Sequence, residues 1–318
     1  MNLAQMRSLL AIMDADCNIS LAASRLNATQ PALSRQLKQL EEELGFQIFL
    51  RRGKSLGQPT PSGAAVLGHA RKLLGEMANI ETLAANHRRE TRGLMRIAAT
   101  QTLGRFVLPP ALRRLKRRFA DLQFRLHPGG EGECIAMLER DEIDLALVST
   151  EGERPAAFAA IPLFSWQRVL VVPAAHSWAM RERPVTLAEL ADVPLVAAET
   201  ITRHDYKLGR SFHAAGLHPT IACTARDADT MKTFVRMDLG VGVMAEMALT
   251  EQDADLIALP TGHLFPGCIT WALLRGDRIQ RDFIFELLRE LAPTLSIEAI
   301  DKALQGDAPS LPGLTPMG

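Results

Sequence analysis

The sequence predicts a small, mainly α head with a β-wing, then one long linking helix, then a larger α/β body of two lobes. Three observations carry this. Residues 1–60 hold three short helical patterns followed by two strand-like pieces, and residues 61–87 hold a single heptad pattern. From residue 93 apolar strand-like runs alternate with amphipathic helices, the pattern of parallel sheets covered by helices. Charge divides in the same way: residues 1–92 carry 12 Lys and Arg against 8 Asp and Glu, and the rest carries 24 against 28. A basic head on an acidic body suits a polyanion-binding module joined to a different activity.

In the head, Leu3, Met6, Leu9, Leu10 and Met13 lie on one face of a first helix. Ser20 can cap a second helix to Leu26, and Asn27 and Ala28 make the turn. Thr29 is placed to cap a third helix, with Gln30 and Pro31 in its first turn and Gly45 closing it after Leu44. Leu33, Leu37, Leu40 and Leu44 form its buried stripe, while Gln30, Ser34, Arg35 and Lys38 face outward. Short polar groups near the N-terminal turn reach base edges, and cations a turn later reach phosphates, as a recognition helix requires. Strand-like pieces at 47–50 and 58–60, joined by Arg51, Arg52, Gly53 and Lys54, read as a basic wing along the DNA backbone. A plain helical bundle with a solvated charged face is the competing reading.

The linking helix carries Val66, Ala70, Leu73, Met77, Ile80 and Ala84 at steps of four and three, a seam suited to the same helix of a second copy. Residues 86–93 form a polar hinge. Beyond it, strands are expected at 94–100, 123–127, 144–149, 168–172, 195–198 and 220–224, with helices at 108–119, 133–140, 187–190, 208–215 and 227–237. Residues 239–249 read as a strand followed by a helix. The chain is expected to cross between lobes near 163–168 and again near 264–271. In folds of this kind a ligand sits at the carboxyl ends of the strands. There Thr100 ends the first strand, Thr102 can cap the following helix, Ser149 ends the third strand, and Thr202 with Arg203 follows the strand at 195–198. Hydroxyls and backbone N–H groups can hold an oxyanion without a fixed ion pair.

Enzyme chemistry finds no foothold. The sequence contains no P-loop and no G-x-G-x-x-G opening a helix; Asp238-Leu239-Gly240-Val241-Gly242 lacks the third glycine. His127, His176, His204, His213 and His218 are scattered, and Cys17, Cys134, Cys223 and Cys268 read as reduced thiols without metal-ligand spacing. No catalytic residue, metal or cofactor is expected. No apolar run approaches a membrane span, and the cytoplasm is the expected compartment.

The segment "AASRLNATQPALSRQLKQLEEELGFQIFL" at 22–50, followed by "TPSG" at 60–63, resembles the winged helix-turn-helix of LysR-type transcriptional regulators. "WQRVLVVP", "DADTMKTFVRMDLGVGVMAEMAL" and the strand ending in Thr100 resemble the CysB-like branch, regulators of sulfur assimilation. The resemblance implies a homotetramer built as a dimer of dimers, binding double-stranded promoter or operator DNA, with RNA polymerase as a candidate further partner. It implies transcriptional activation, and a periplasmic-binding-protein-like effector domain whose cleft, at Thr100, Thr102, Ser149 and Thr202, takes sulfate, acetylserine or an organosulfur anion. A LysR-type regulator answering to another carboxylate or aromatic anion stays open. Leu103 stands where the branch carries glutamine, and "ETITRHDY" replaces a glycine-rich loop, so a less polar cleft with an added cation at Arg203 is expected. The implied domains are 1–60 for DNA, 61–92 for dimerisation and hinge, and 93–305 for effector. Within the last, lobe I takes about 93–163 and 271–305, and lobe II about 164–270. Residues 306–318 read as a mobile tail.

Overall fold

The computed structural model describes residues 1–53, 55–156, 158–199 and 207–306. These form two compact units, Met1–Arg88 with Asp277–Ile279, and the remainder from Arg89 onward. Of the expected tail only Gly306 falls among the described residues.

In the first unit, α1 (Leu3–Asp14) is capped by Asn2, which accepts from Gln5 N while the Gln5 side chain returns to the Asn2 N–H. Its apolar face buries Met6, Leu9 and Ile12. The chain then turns through Asp16 and Cys17, both in left-handed backbone (φ 52° and 62°). That turn presents Asn18, not Ser20, as the cap of α2 (Ile19–Arg25), so the expected cap is the second residue of the helix. α3 (Gln30–Leu44) starts after Thr29 and stops at Gly45, whose φ of 76° needs no side chain out of the way. Leu33, Leu37 and Leu40 are buried as their spacing requires, and Leu44 packs at the rim.

The wing consists of β1 (Phe49–Arg52) and β2 (Ser55–Pro59), antiparallel, with Arg51 opposite Leu56. Both strands sit off their expected positions because residues 47 and 48 serve a junction instead. Thr60 donates its hydroxyl to the Gln47 carbonyl and its N–H to the Ile48 carbonyl. Thr60 also caps α4 (Pro61–His87) by accepting from Gly63 N. Along α4 the expected seam divides. Val66 and Ala70, with Leu67 and Leu74, pack into the core of the head, while Leu73, Ile80 and Leu83 remain exposed, Ile80 at 66%.

In the second unit, lobe I is built from β3 (Gly93–Ala99), α5 (Leu108–Arg118), β4 (Leu122–Pro128), α6 (Glu131–Glu139), β5 (Leu145–Thr150) and β6 (Ala159–Trp166). Lobe II contains β7 (Arg168–Pro173), α7 (Leu187–Ala191), β8 (Leu195–Ala198), α8 (Lys207–Ala214), β9 (Ile221–Ala225), α9 (Ala228–Arg236), β10 (Val241–Ala245) and β11 (Leu256–Pro260). The chain returns through β12 (Cys268–Leu274) to α10 (Asp282–Leu291) and α11 (Ile297–Leu304) on lobe I. The sheet orders are β4-β3-β5-β12-β6 and β11-β7-β10-β8-β9. Four strands in each run the same way, but β12 runs antiparallel to β5 and β6, and β7 antiparallel to β10 and β11, so the expected parallel sheets are in fact mixed. The crossings fall at Gln167 and between Pro260 and Cys268, so Phe164–Trp166 and Cys268–Thr270 belong to lobe I. After β10 only one 3-10 turn, Glu246–Ala248, stands where a helix was expected.

A charged network holds the helical side of lobe II. Lys232 is buried on α9, with Nζ 2.9 Å from Asp253 Oδ2 and 3.0 Å from the Ala248 carbonyl. Arg236 reaches Asp253 and Asp255. Burial pushes the Asp253 carboxyl up, but hydrogen bonds from Lys232, Arg236 and Thr250 outweigh it and hold it well below the usual carboxylate range. A carboxylate with a depressed folded pKa contributes stability that is complete above its unfolded value, about 3.9, and is lost as pH falls below it. Thermal melts below about pH 4 should therefore lose a stability increment that Asp253→Asn lacks; parallel acid limbs for the two proteins would count against this role.

Candidate DNA-reading helix and interlobe cavity

The head presents one exposed polar surface along α3. Thr29, Gln30, Pro31, Arg35 and Lys38 are exposed and Ser34 is half-exposed, on the side opposite the leucine stripe. Thr29 occupies the N-cap position and is exposed, yet its side chain makes no capping hydrogen bond. Arg35 folds back, Nε donating to its own helix's Pro31 carbonyl at 3.3 Å, and Lys38 pairs with Glu42 at 3.5 Å. Both contacts are solvent-exposed and weak enough to be exchanged for a phosphate.

The wing behaves differently. Arg51 is held 2.6 Å from Glu41, a nearly buried acid on α3 whose other oxygen accepts from Ile48 N and Phe49 N. Glu41 thus ties wing to helix, and the Arg51 charge is already compensated. The Arg52 side chain and Lys54 lie outside the described residues. The buried Glu41 was the unread member of this surface; an acid at the "EEE" of the helix looks like solvated charge in sequence.

In the second unit, β3 and β5 are parallel neighbours with Ala99 opposite Leu147, so both strands deliver their ends to one sheet edge. Thr100 and Thr102 line a cavity of about 410 Å³ whose other wall is Asp227, Ala228 and Asp229, which open α9 in lobe II. Ser149 reaches the same edge but not the cavity lining: its Oγ lies 3.0 Å from Thr270 Oγ1, and Trp166 Nε1 donates to both hydroxyls. Thr202 and Arg203 lie outside the described residues.

Two expectations are corrected here. Thr102 does not cap the following helix; it is itself helical (φ −59°, ψ −48°) and makes no capping bond. Leu103 does not line the cleft; it is 1% exposed inside the lobe I core. Both follow from a π-turn at Leu103–Val107, closed by Leu108 N donating to the Leu103 carbonyl. Pro109 and Pro110 follow at once, and their rings would collide with the carbonyls four residues back in an α-helix, so the widened turn relieves the clash. The π-turn also aims Arg105 and Phe106 across the cleft. Arg105 Nε meets Asp229 at 3.0 Å, Lys232 Nζ lies 5.2 Å from the Phe106 ring centroid, and Phe106 packs on the lobe II core. Burial raises the Asp229 carboxyl, yet Lys232 and Arg105 bring it below its ordinary value.

Across the lobe crossing, Glu151 and Arg168 form an ion pair at 2.6 Å with side chains only 9% and 8% exposed. The described residues contain no cluster of His, Cys, Asp and Glu suited to a metal, and none of their helices is long and apolar enough to cross a membrane.

Residues 3–64 match the family described as bacterial regulatory helix-turn-helix protein, lysR family, and residues 88–294 match the LysR substrate binding domain. The chain is 33% identical over 311 residues to the HTH-type transcriptional regulator CysB of Burkholderia cenocepacia, covering 98% of this chain and 99% of that protein. It is 32% identical over 303 residues to the regulator cbl of Klebsiella aerogenes, covering 95% and 96%. The crystal structure of the cofactor-binding domain of the Cbl transcriptional regulator superposes with a TM-score of 0.60 at 30% identity, covering 68% of this chain and 94% of that one.

Proposed function

Since the chain belongs to the LysR family of DNA-binding transcriptional regulators, we propose that it controls genes of sulfur assimilation or organosulfur utilisation, in answer to a small ligand carrying an anionic group and bound between the lobes. The observation that carries the effector half is the position of Thr100 and Thr102 on one wall of the interlobe cavity, Thr102 making no capping bond. Hydroxyls so placed bind an oxyanion by charge-assisted hydrogen bonds, each contributing about 1.5–3 kcal/mol. The DNA half rests on α3, whose Gln30, Ser34, Arg35 and Lys38 present a polar face within the region, residues 3–64, that matches the lysR-family helix-turn-helix. The exposed Leu73, Ile80 and Leu83 on α4 fit pairing with a second copy, and a dimer of dimers acting as an activator with RNA polymerase in the cytoplasm completes the reading. The chain is read as domains 1–60, 61–92 and 93–305.

Coupling requires that the effector bind the two lobe arrangements with different affinity. Arg35→Ala or Ser34→Ala should weaken binding to the protein's own promoter fragment in mobility-shift titrations by about 10- to 100-fold, with effector binding intact. Unchanged affinity would remove α3 from the DNA interface. Thr102→Ala should lower effector affinity about tenfold in calorimetry while DNA binding persists, and an unaltered isotherm would place the effector elsewhere.

A further inference from the structure

The charges around the cavity point beyond a plain anion. Its lining holds one basic side chain among the described residues, Arg105, and two carboxylates, Asp227 and Asp229. Arg105 is committed to Asp229, which also takes Lys232 Nζ at 3.1 Å, so that acid is compensated twice. Asp227 is not. Its oxygens accept from Thr230 N at 2.7 Å and Thr230 Oγ1 at 2.8 Å, both neutral donors, and no cation among the described residues pairs with it. The N-terminus of α9 would ordinarily attract an anion, but Asp227 at the cap and Asp229 in the first turn already occupy that role. The opposite wall offers the hydroxyls of Thr100 and Thr102, the neutral amide of Gln101 and backbone groups. A sulfate or simple sulfonate seated there would face the Asp227 carboxylate, which pairs with no cation among the described residues, across a cavity of about 410 Å³.

We propose that the effector is a small zwitterion, with its sulfonate or carboxylate on Thr100 and Thr102 and a protonated amine on Asp227. A carboxylate has about four acceptor positions, so each Asp227 oxygen can take an ammonium N–H without losing its capping bond. The ligand then bridges the two lobes by charge on one side and hydroxyls on the other, which gives closure a differential affinity to act on. This inference rests on the cleft reading above, and the test separates the two.

Calorimetry on the full-length protein compares 2-aminoethanesulfonate with 2-hydroxyethanesulfonate, and 3-aminopropanoate with 3-hydroxypropanoate. Each pair keeps the anion and exchanges ammonium for hydroxyl. The better amine should bind at least about tenfold tighter than its hydroxyl partner, the range for one charge-assisted bond. Asp227→Asn, which keeps a good helix cap, should erase that ratio by weakening the amine alone. Equal affinities within both pairs in the native protein, tighter binding of inorganic sulfate than of either amine, or an undiminished ratio in Asp227→Asn would each overturn the proposal. Anions that bind without amine preference but still lose affinity in Thr102→Ala would leave the cleft standing and sink only the zwitterion. Absence of binding by all five compounds would sink the zwitterion outright, and the Thr102 variant's response to its effector would then judge the cleft on its own.

Discussion

Gly63→Ala should destabilise the head by about 3 kcal/mol, the upper end of what an inserted methyl costs in a packed site, and should lower DNA affinity with it. A β-carbon at residue 63 would stand 1.9 Å from the Ile48 carbonyl oxygen and 2.7 Å from its carbon. Both are backbone atoms, and they cannot swing aside as a side-chain end can. The Ile48 carbonyl is moreover held in place by Thr60 N, and Ile48 N by Glu41. Relief therefore requires α4 to lift off the wing, breaking the Thr60 cap at Gly63 N as it goes. Gly68→Ala on the same helix is the control: its added carbon meets nothing within 4 Å, so helix propensity alone operates and the head should gain up to about 1 kcal/mol. Differential scanning calorimetry on the two variants should move the head's transition in opposite directions. A Gly63→Ala melt matching the native protein would mean the wing and α4 are not rigidly joined.

The same junction shows why the head was legible in sequence. Its determinants are local: the leucine stripe of α3, the glycine stop at Gly45, and the Thr60–Gly63 cap all act within a turn or two of chain. What misled were substitutes of equal chemistry, as when a left-handed turn at Asp16 and Cys17 made Asn18 the cap and demoted Ser20. The body was less legible where partners are distant. β6 carries Pro162 and β12 lies between two other strands, buried on both faces, so neither shows the alternation that marks a half-solvated strand. Ser149 reads as a free strand-end hydroxyl until Thr270, 121 residues on, takes it. The π-turn was written in Pro109 and Pro110, but its consequence, Leu103 turned into the core and Arg105 turned across the cleft, depends on one extra residue in the turn that periodicity counts do not register.

Arg168→Ala should cost about 3–5 kcal/mol, because it removes the cation held 2.6 Å from a Glu151 carboxylate whose side chain is only 9% exposed. Glu151 follows β5 in lobe I and Arg168 opens β7 in lobe II, so the pair sits where the chain passes between lobes. The surroundings give Glu151 little chance to be resolvated. The Arg168 guanidinium lies 5.8 Å from the Trp166 ring centroid, and the Arg168 backbone carbonyl is taken by Thr261 Oγ1 at 2.6 Å. Yet the net contribution of such a pair can be near zero, since desolvating both charges offsets most of their attraction. The double variant Glu151→Leu with Arg168→Met should therefore recover stability to within about 1 kcal/mol of the native protein, even though either single change is severe. Recovery of stability without recovery of the effector response would assign the pair to holding the two lobes in register across the crossing. A double variant as unstable as Arg168→Ala would instead show that the ion pair itself, and not the penalty of leaving one charge alone, stabilises the crossing.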